Sequence, residues 1–288
     1  MPEQEEKSSK KKSKSSPAKE MSFWDHLEEL RKRLTRSVLA WIALSTLAFT
    51  QREIIFDKII LAPKEGTFIT YRWLCQLGEL LHVDSLCMKT LSITLINYNL
   101  SGQFMMHMTI SMVVGLILAV PYLFYQIWQF IKPALYEKER KYASKAVYVM
   151  SGLFMLGITF AYYFMVPWTL NFLGTYQVSA SVANQIALES YISTLVSVVF
   201  SVGLVFELPV VVFVLAKIGI LSPKFLKKNR KYAFIIVLIL AAIITPPDVF
   251  SQMMVTLPLW LLYEASIMVA SRVAPKDDED EEEEKEQA

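Results

Sequence analysis

Charge is scarce over most of this 288-residue chain, and its absence is concentrated. Residues 146–188, 43 in succession, contain no Asp, Glu, Lys or Arg. Only 19% of the chain is charged and 54% is apolar, which excludes a disordered chain. Two cysteines are too few for a disulfide scaffold. The three histidines, His26, His82 and His107, are isolated, and no HExxH, CxxC, P-loop or GxSxG pattern occurs. The usual metal, redox, nucleotide and hydrolase motifs are therefore missing. No catalytic residue, metal, cofactor or nucleic-acid partner is expected, and an enzyme is not the expected class. The first apolar run starts only near Leu34 with no small-x-small site after it, so a cleaved leader is not expected either.

What the chain does have is hydrophobic length. A hydrocarbon core about 30 Å thick needs roughly 20 apolar residues per helix. Uncharged runs give six spans: about 34–50, within 103–130, about 146–166, about 191–216, 232–244 and 249–269. The last two are separated only by Thr245-Pro-Pro-Asp248, where two prolines stop a helix. The expected fold is all-α, a polytopic integral membrane protein with six transmembrane helices. A five-span chain ending in a re-entrant hairpin is the alternative. Residues 1–20 read as a disordered basic and polar arm, and residues 21–272 as the membrane domain. The stretch 273–288, with nine acids and two lysines, reads as a disordered tail.

Lys and Arg set the orientation. Nine precede the first span, five lie in 129–145 and six in 217–231, whereas 167–193 and 245–248 hold none. The long loop 51–102 holds five, balanced by five acids, and long loops translocate largely regardless of charge. The N- and C-termini are both expected to be cytoplasmic. Cys75 and Cys87 then share the extracytoplasmic loop, where their 12-residue separation permits a disulfide or two unpaired thiols.

Carboxylates in unusual places carry the functional reading. Glu207 lies well inside the fourth span, where a charge costs about 2.5–3.5 kcal/mol, so it is a functional candidate. The alternative is a hydrogen-bonded carboxyl that only helps helices pack. Glu264, near the cytoplasmic end of the last span, can snorkel to water. Ser22 to Leu34 reads as a short helix capped by Ser22, with Asp25 as the reciprocal acid. Within it Glu28 and Glu29 precede Lys32 and Arg33 by four, so surface ion pairs account for them. Glu137 and Glu139 interrupt the basic loop Phe130-Ile-Lys-Pro-Ala-Leu-Tyr-Glu-Lys-Glu-Arg140. With Glu29 they could offer carboxylates to guanidinium groups, which bind them bidentately.

Four motifs in order resemble the TatC family of the twin-arginine protein translocase: His26-Leu-Glu-Glu-Leu-Arg-Lys-Arg-Leu34, Tyr125-Gln-Ile-Trp128 leading into that loop, Phe206-Glu-Leu-Pro209, and Thr245-Pro-Pro-Asp-Val-Phe-Ser-Gln252. The resemblance implies a receptor in the cytoplasmic (inner) membrane. It would bind twin-arginine signal peptides of folded cargo and assemble, as a homo- or hetero-oligomer, with TatA/TatB-type single-span partners. Export would be driven by the proton-motive force. Glu29 and Glu139 match the carboxylates that read the arginine pair, and Phe130 and Tyr136 their neighbours. Glu207 matches the intramembrane partner-docking glutamate, and Asp248 the acid of the outer hairpin. Thr109 departs from the family, which commonly has a basic residue entering the second span. The rival reading is a proton-coupled small-solute transporter using Glu207.

Overall fold

The computed structural model describes residues 23–82, 87, 94–131, 137–179, 181, 184–217, 219–245 and 249–273. The arm, most of the tail, Ser22, Tyr136 and Asp248 lie outside the described residues. Helix α1 (Phe23–Thr50) runs along α3 (Gly102–Ile131) in the most extensive helix pairing of the molecule. Gly115 allows the approach, because a Cβ there would fall 2.2 Å from Ser45 Oγ and 2.5 Å from Ser45 Cα. Beside it, Trp41 Nε1 donates to the Met112 carbonyl at 2.9 Å.

The third span is longer than its sequence suggests. Helix α4 (Glu137–Phe160) passes through a π-helical turn, Ala161–Met165, into α5 (Val166–Thr175). The sequence reading begins a loop at Pro167, but the helix continues. Pro167 falls in the first turn of α5, where a missing N–H is tolerated, and the wider π-turn precedes it. The fourth span is broken instead. Helix α6 (Leu188–Val205) gives way to α7 (Leu208–Lys217) across Phe206 and Glu207. Pro209 supplies no backbone donor, and Glu207 N–H turns to the Leu204 carbonyl at 3.1 Å. Facing the break, Gly157 of α4 and Gly203 of α6 let the backbones meet: a Cβ on Gly157 would lie 3.0 Å from Gly203 Cα.

The short α8 (Pro223–Lys228) is capped by Ser222, whose Oγ accepts from Phe225 N–H at 3.1 Å. Helices α9 (Arg230–Ile244) and α10 (Val249–Val273) form the last pair. Arg230 Nη2 donates to Glu264 Oε2 at 2.7 Å, and Tyr263 OH to the Leu226 carbonyl at 2.9 Å, so the base of the pair is tied to α8. Glu264 is therefore held by a partner as well as lying near water.

Among the described residues, Gly102–Phe130, Ala146–Thr175, Leu188–Lys217 and Gln252–Arg272 are each long and apolar enough to cross a bilayer. The stretch from His26 to Thr50 passes only together with the helical segment after it, bent by 85°. Helix α9, at 15 residues, is shorter than a full crossing. The six sequence-predicted spans correspond to α1, α3, α4–α5, α6–α7, α9 and α10.

The loop 51–102 contains structure that its sequence did not announce. A π-helical segment (Ile54–Ile60), a 3-10 turn (Ala62–Lys64) and α2 (Ile69–Leu81) fold over the ends of α4 to α6. Strand β1 (Leu95–Ile96) pairs in parallel with β2 (Ile186–Ala187), Leu95 opposite Ile186. Buried hydroxyls anchor this cap. Tyr191 OH donates to the Ile60 carbonyl at 2.7 Å, and Thr70 Oγ1 to the Tyr163 carbonyl at 2.6 Å. Tyr71 OH lies 3.0 Å from the Pro63 carbonyl and 3.3 Å from that of Pro167. Cys75 of α2 and Cys87 are joined by a disulfide, their Cα atoms 4.1 Å apart.

Candidate functional site

Two groups of polar side chains stand out, one where α1 meets the end of α3 and one at the α6–α7 break. The first begins with helix periodicity. Positions 26, 29 and 33 recur at three and four residues along α1, so His26, Glu29 and Arg33 share a face. On α3, Tyr122, Gln126 and Phe130 share a face at the same spacing. The packing of α1 on α3 joins the two rows. His26 stacks on Phe130 with ring centroids 4.3 Å apart. Arg33 Nε donates to Glu29 Oε1 at 3.0 Å, and its Nη2 contacts the same oxygen. Arg33 Nη1 donates across to Gln126 Oε1 at 3.3 Å, and Gln126 Nε2 donates to Tyr122 OH at 2.6 Å.

Burial separates this chain of bonds from the neighbouring pair. Glu29 and Arg33 retain side-chain exposures of 23% and 20%, against 53% and 60% for Glu28 and Lys32, bonded at 2.8 Å. The Lys32 ammonium, by hydrogen bond and by charge, holds the Glu28 carboxyl below its usual value. Both sequence-expected ion pairs form, so Glu29 is not an idle carboxylate. Its Oε2 makes no hydrogen bond among the described residues.

Glu139 lies in the first turn of α4, within the described backbone. Tyr136 lies outside the described residues. Phe130 is brought to Glu29 through His26, and Gln126 was not singled out by the sequence reading. A glutamine four residues before Phe130 in an apolar helix is a signal that could have found it, since a buried amide needs partners.

At the second group Glu207 is buried, 7% exposed, with neither carboxyl oxygen hydrogen-bonded among the described residues. Phe206 beside it packs on Phe160 of α4 at 5.7 Å. The break in the helix thus holds a buried carboxyl with no hydrogen bond of good geometry among the described residues. No group of three His, Cys, Asp or Glu among the described residues is placed to hold a metal ion.

Bundle, broken fourth span and polar end-site together define a multi-pass helical membrane protein. Residues 25–258 match the family model described as Sec-independent protein translocase protein (TatC). The TatC of Blattabacterium sp. subsp. Periplaneta americana is 39% identical over 259 residues, covering 89% of this chain and 97% of its own. The TatCy protein of Bacillus subtilis is 33% identical, covering 87% and 89%. A crystal structure of the twin-arginine translocase receptor TatC in DDM superposes with a TM-score of 0.68 at 33% identity, over 85% of this chain and 99% of that one. The chain belongs to the TatC family of protein translocase components. That membership gives the solute-transporter reading no support.

Proposed function

We propose that this chain is the receptor and core subunit of a twin-arginine translocase in the cytoplasmic membrane, with both termini on the cytoplasmic side. It binds the Arg-Arg pair of signal peptides on folded cargo through Glu29 and Glu139, with Phe130 and Tyr136 beside them. It then assembles with TatA/TatB-type single-span partners, Glu207 docking a polar group of a partner helix, for export driven by the proton-motive force. Asp248 belongs to the outer hairpin of this assembly. The observation that carries the reading is the Glu29 carboxylate: three-quarters buried, with one oxygen making no hydrogen bond among the described residues, beside the His26–Phe130 stack. A carboxylate in that setting suits a planar guanidinium, because partial burial strengthens the bond and two oxygens match its fork. The basic connections 129–145 and 217–231 support the orientation.

The test is binding of an Arg-Arg signal peptide and its Lys-Lys variant to the protein in nanodiscs. Glu29→Ala and Glu139→Ala should each weaken Arg-Arg binding by about 1.5–3 kcal/mol, the range for hydrogen bonds to charged groups, with insertion and expression unchanged. Wild-type affinity in both single variants overturns the assignment.

A further inference from the structure

The group that holds Glu29 is itself a guanidinium, the same chemistry proposed for the cargo. We infer that Arg33 is an internal competitor for Glu29, setting the affinity threshold an incoming arginine must exceed, and that Gln126 is the station to which Arg33 withdraws. The inference rests on the peptide-binding reading above and deepens it.

The geometry supports each part. Two N–H groups of Arg33 converge on Glu29 Oε1, so that oxygen is saturated, while Oε2 has no hydrogen bond among the described residues. An incoming guanidinium can donate to Oε2 alone, or it can donate to both oxygens by displacing Arg33. One-point contact forfeits the bidentate geometry that makes arginine a strong carboxylate partner. Full binding therefore requires exchange of one guanidinium for another. Exchange would be costly if Arg33 were left as an unpaired, four-fifths buried charge. It is not, because Nη1 already lies 3.3 Å from Gln126 Oε1. Gln126 is 5% exposed and its amide is fixed by the bond to Tyr122, so its carbonyl keeps facing Arg33 when the carboxylate is lost. The neighbouring Lys32 is engaged with Glu28 instead, at 2.8 Å.

Arg33 neutralises the Glu29 charge towards either cation, but only a guanidinium needs the oxygen that Arg33 holds, so Arg33 weakens Arg-Arg peptides more than Lys-Lys peptides. The role of Arg33 is to keep weakly basic segments below the binding threshold.

Peptide binding to the full chain in nanodiscs reads this directly. Arg33→Gln should tighten the Arg-Arg peptide by about fivefold or more, since a charge-assisted bond no longer has to be broken, and the Lys-Lys peptide by less. Arg33→Lys, which keeps the charge but loses the fork, should give a smaller gain in the same direction. Gln126→Leu should weaken both by a few-fold. These opposite signs do not arise from general destabilisation, which weakens binding in every variant. In a Glu29→Gln background, Arg33→Gln should change affinity by less than about twofold, because the contested acceptor is gone. Weaker or unchanged binding by both Arg33 variants, or an undiminished gain in the Glu29→Gln background, overturns the inference. Loss of the peptide-binding reading shows separately, as wild-type affinity in Glu29→Ala.

Discussion

A buried carboxyl without a hydrogen-bond partner is costly, and Glu207 has none among the described residues. Pro209 breaks the helix at this point and Gly157 and Gly203 bring α4 close, so the residue occupies a shaped position rather than a random one on the span. If its role is to dock a partner helix, Glu207→Gln should retain most of the association, because an amide still hydrogen-bonds in lipid. Glu207→Leu should insert more readily yet lose crosslinking to the single-span partner. A Leu variant that crosslinks at wild-type level removes docking as the role, and a Gln variant as inactive as Leu points to proton binding instead.

Helix α9 is an element whose length is its main property. Fifteen residues give about 22 Å at 1.5 Å per residue, against a hydrocarbon core of roughly 30 Å. Its inner face, Val237, Ala241 and Ile244, is buried against α6 and α10, while Ile235, Ile236, Ile239 and Ile243 are exposed. Among the described residues no helix covers that outer row, which leaves the short hydrophobic length open to lipid. The basic residues Lys227, Lys228, Arg230 and Lys231 hold one end at the surface, and a short segment between fixed ends thins the bilayer. Spin labels along 232–263 with depth-dependent quenching should show a thinned bilayer beside α9, which would lower the cost of passing a polar cargo. A hairpin turn buried below the headgroups of an undeformed bilayer would contradict this.

At the scale of the whole molecule, the described part of the cap, Ile54–Leu81, fastens the ends of α4 to α6 to one another. Tyr71 is central, reaching the Pro63 carbonyl within the cap and that of Pro167 on α5. Tyr71→Phe should lower stability in detergent by about 1 kcal/mol, the usual worth of such a bond, and speed amide exchange in α2. Burial pushes the Tyr71 phenol up to about 12. A group whose folded value is raised contributes fully below its ordinary value near 10, and that contribution is lost as pH climbs from 10 towards 12. The wild type should lose stability over that window faster than Tyr71→Phe. Equal alkaline melting curves for the two would show that the phenol does not anchor the cap.

Hydrophobic length and charge placement were legible in the order of the residues, because burial in a bilayer is a one-dimensional requirement: each span must contain enough apolar residues, whatever it packs against. The six spans, the membrane class and the place of Glu207 inside a span followed from that alone, and the four motifs made the family readable. The helix through Pro167 did not follow, since proline as a local signal argues for a stop and only the π-turn before it accommodates the ring. The cap was equally hidden, because Thr70, Tyr71 and Tyr191 bond to carbonyls 93, 96 and 131 residues away. The same holds where α1 meets the end of α3. Spacing four along α1 pairs Glu29 with Arg33, but Gln126 lies 93 residues from Arg33, and only the α1–α3 packing decides that they meet.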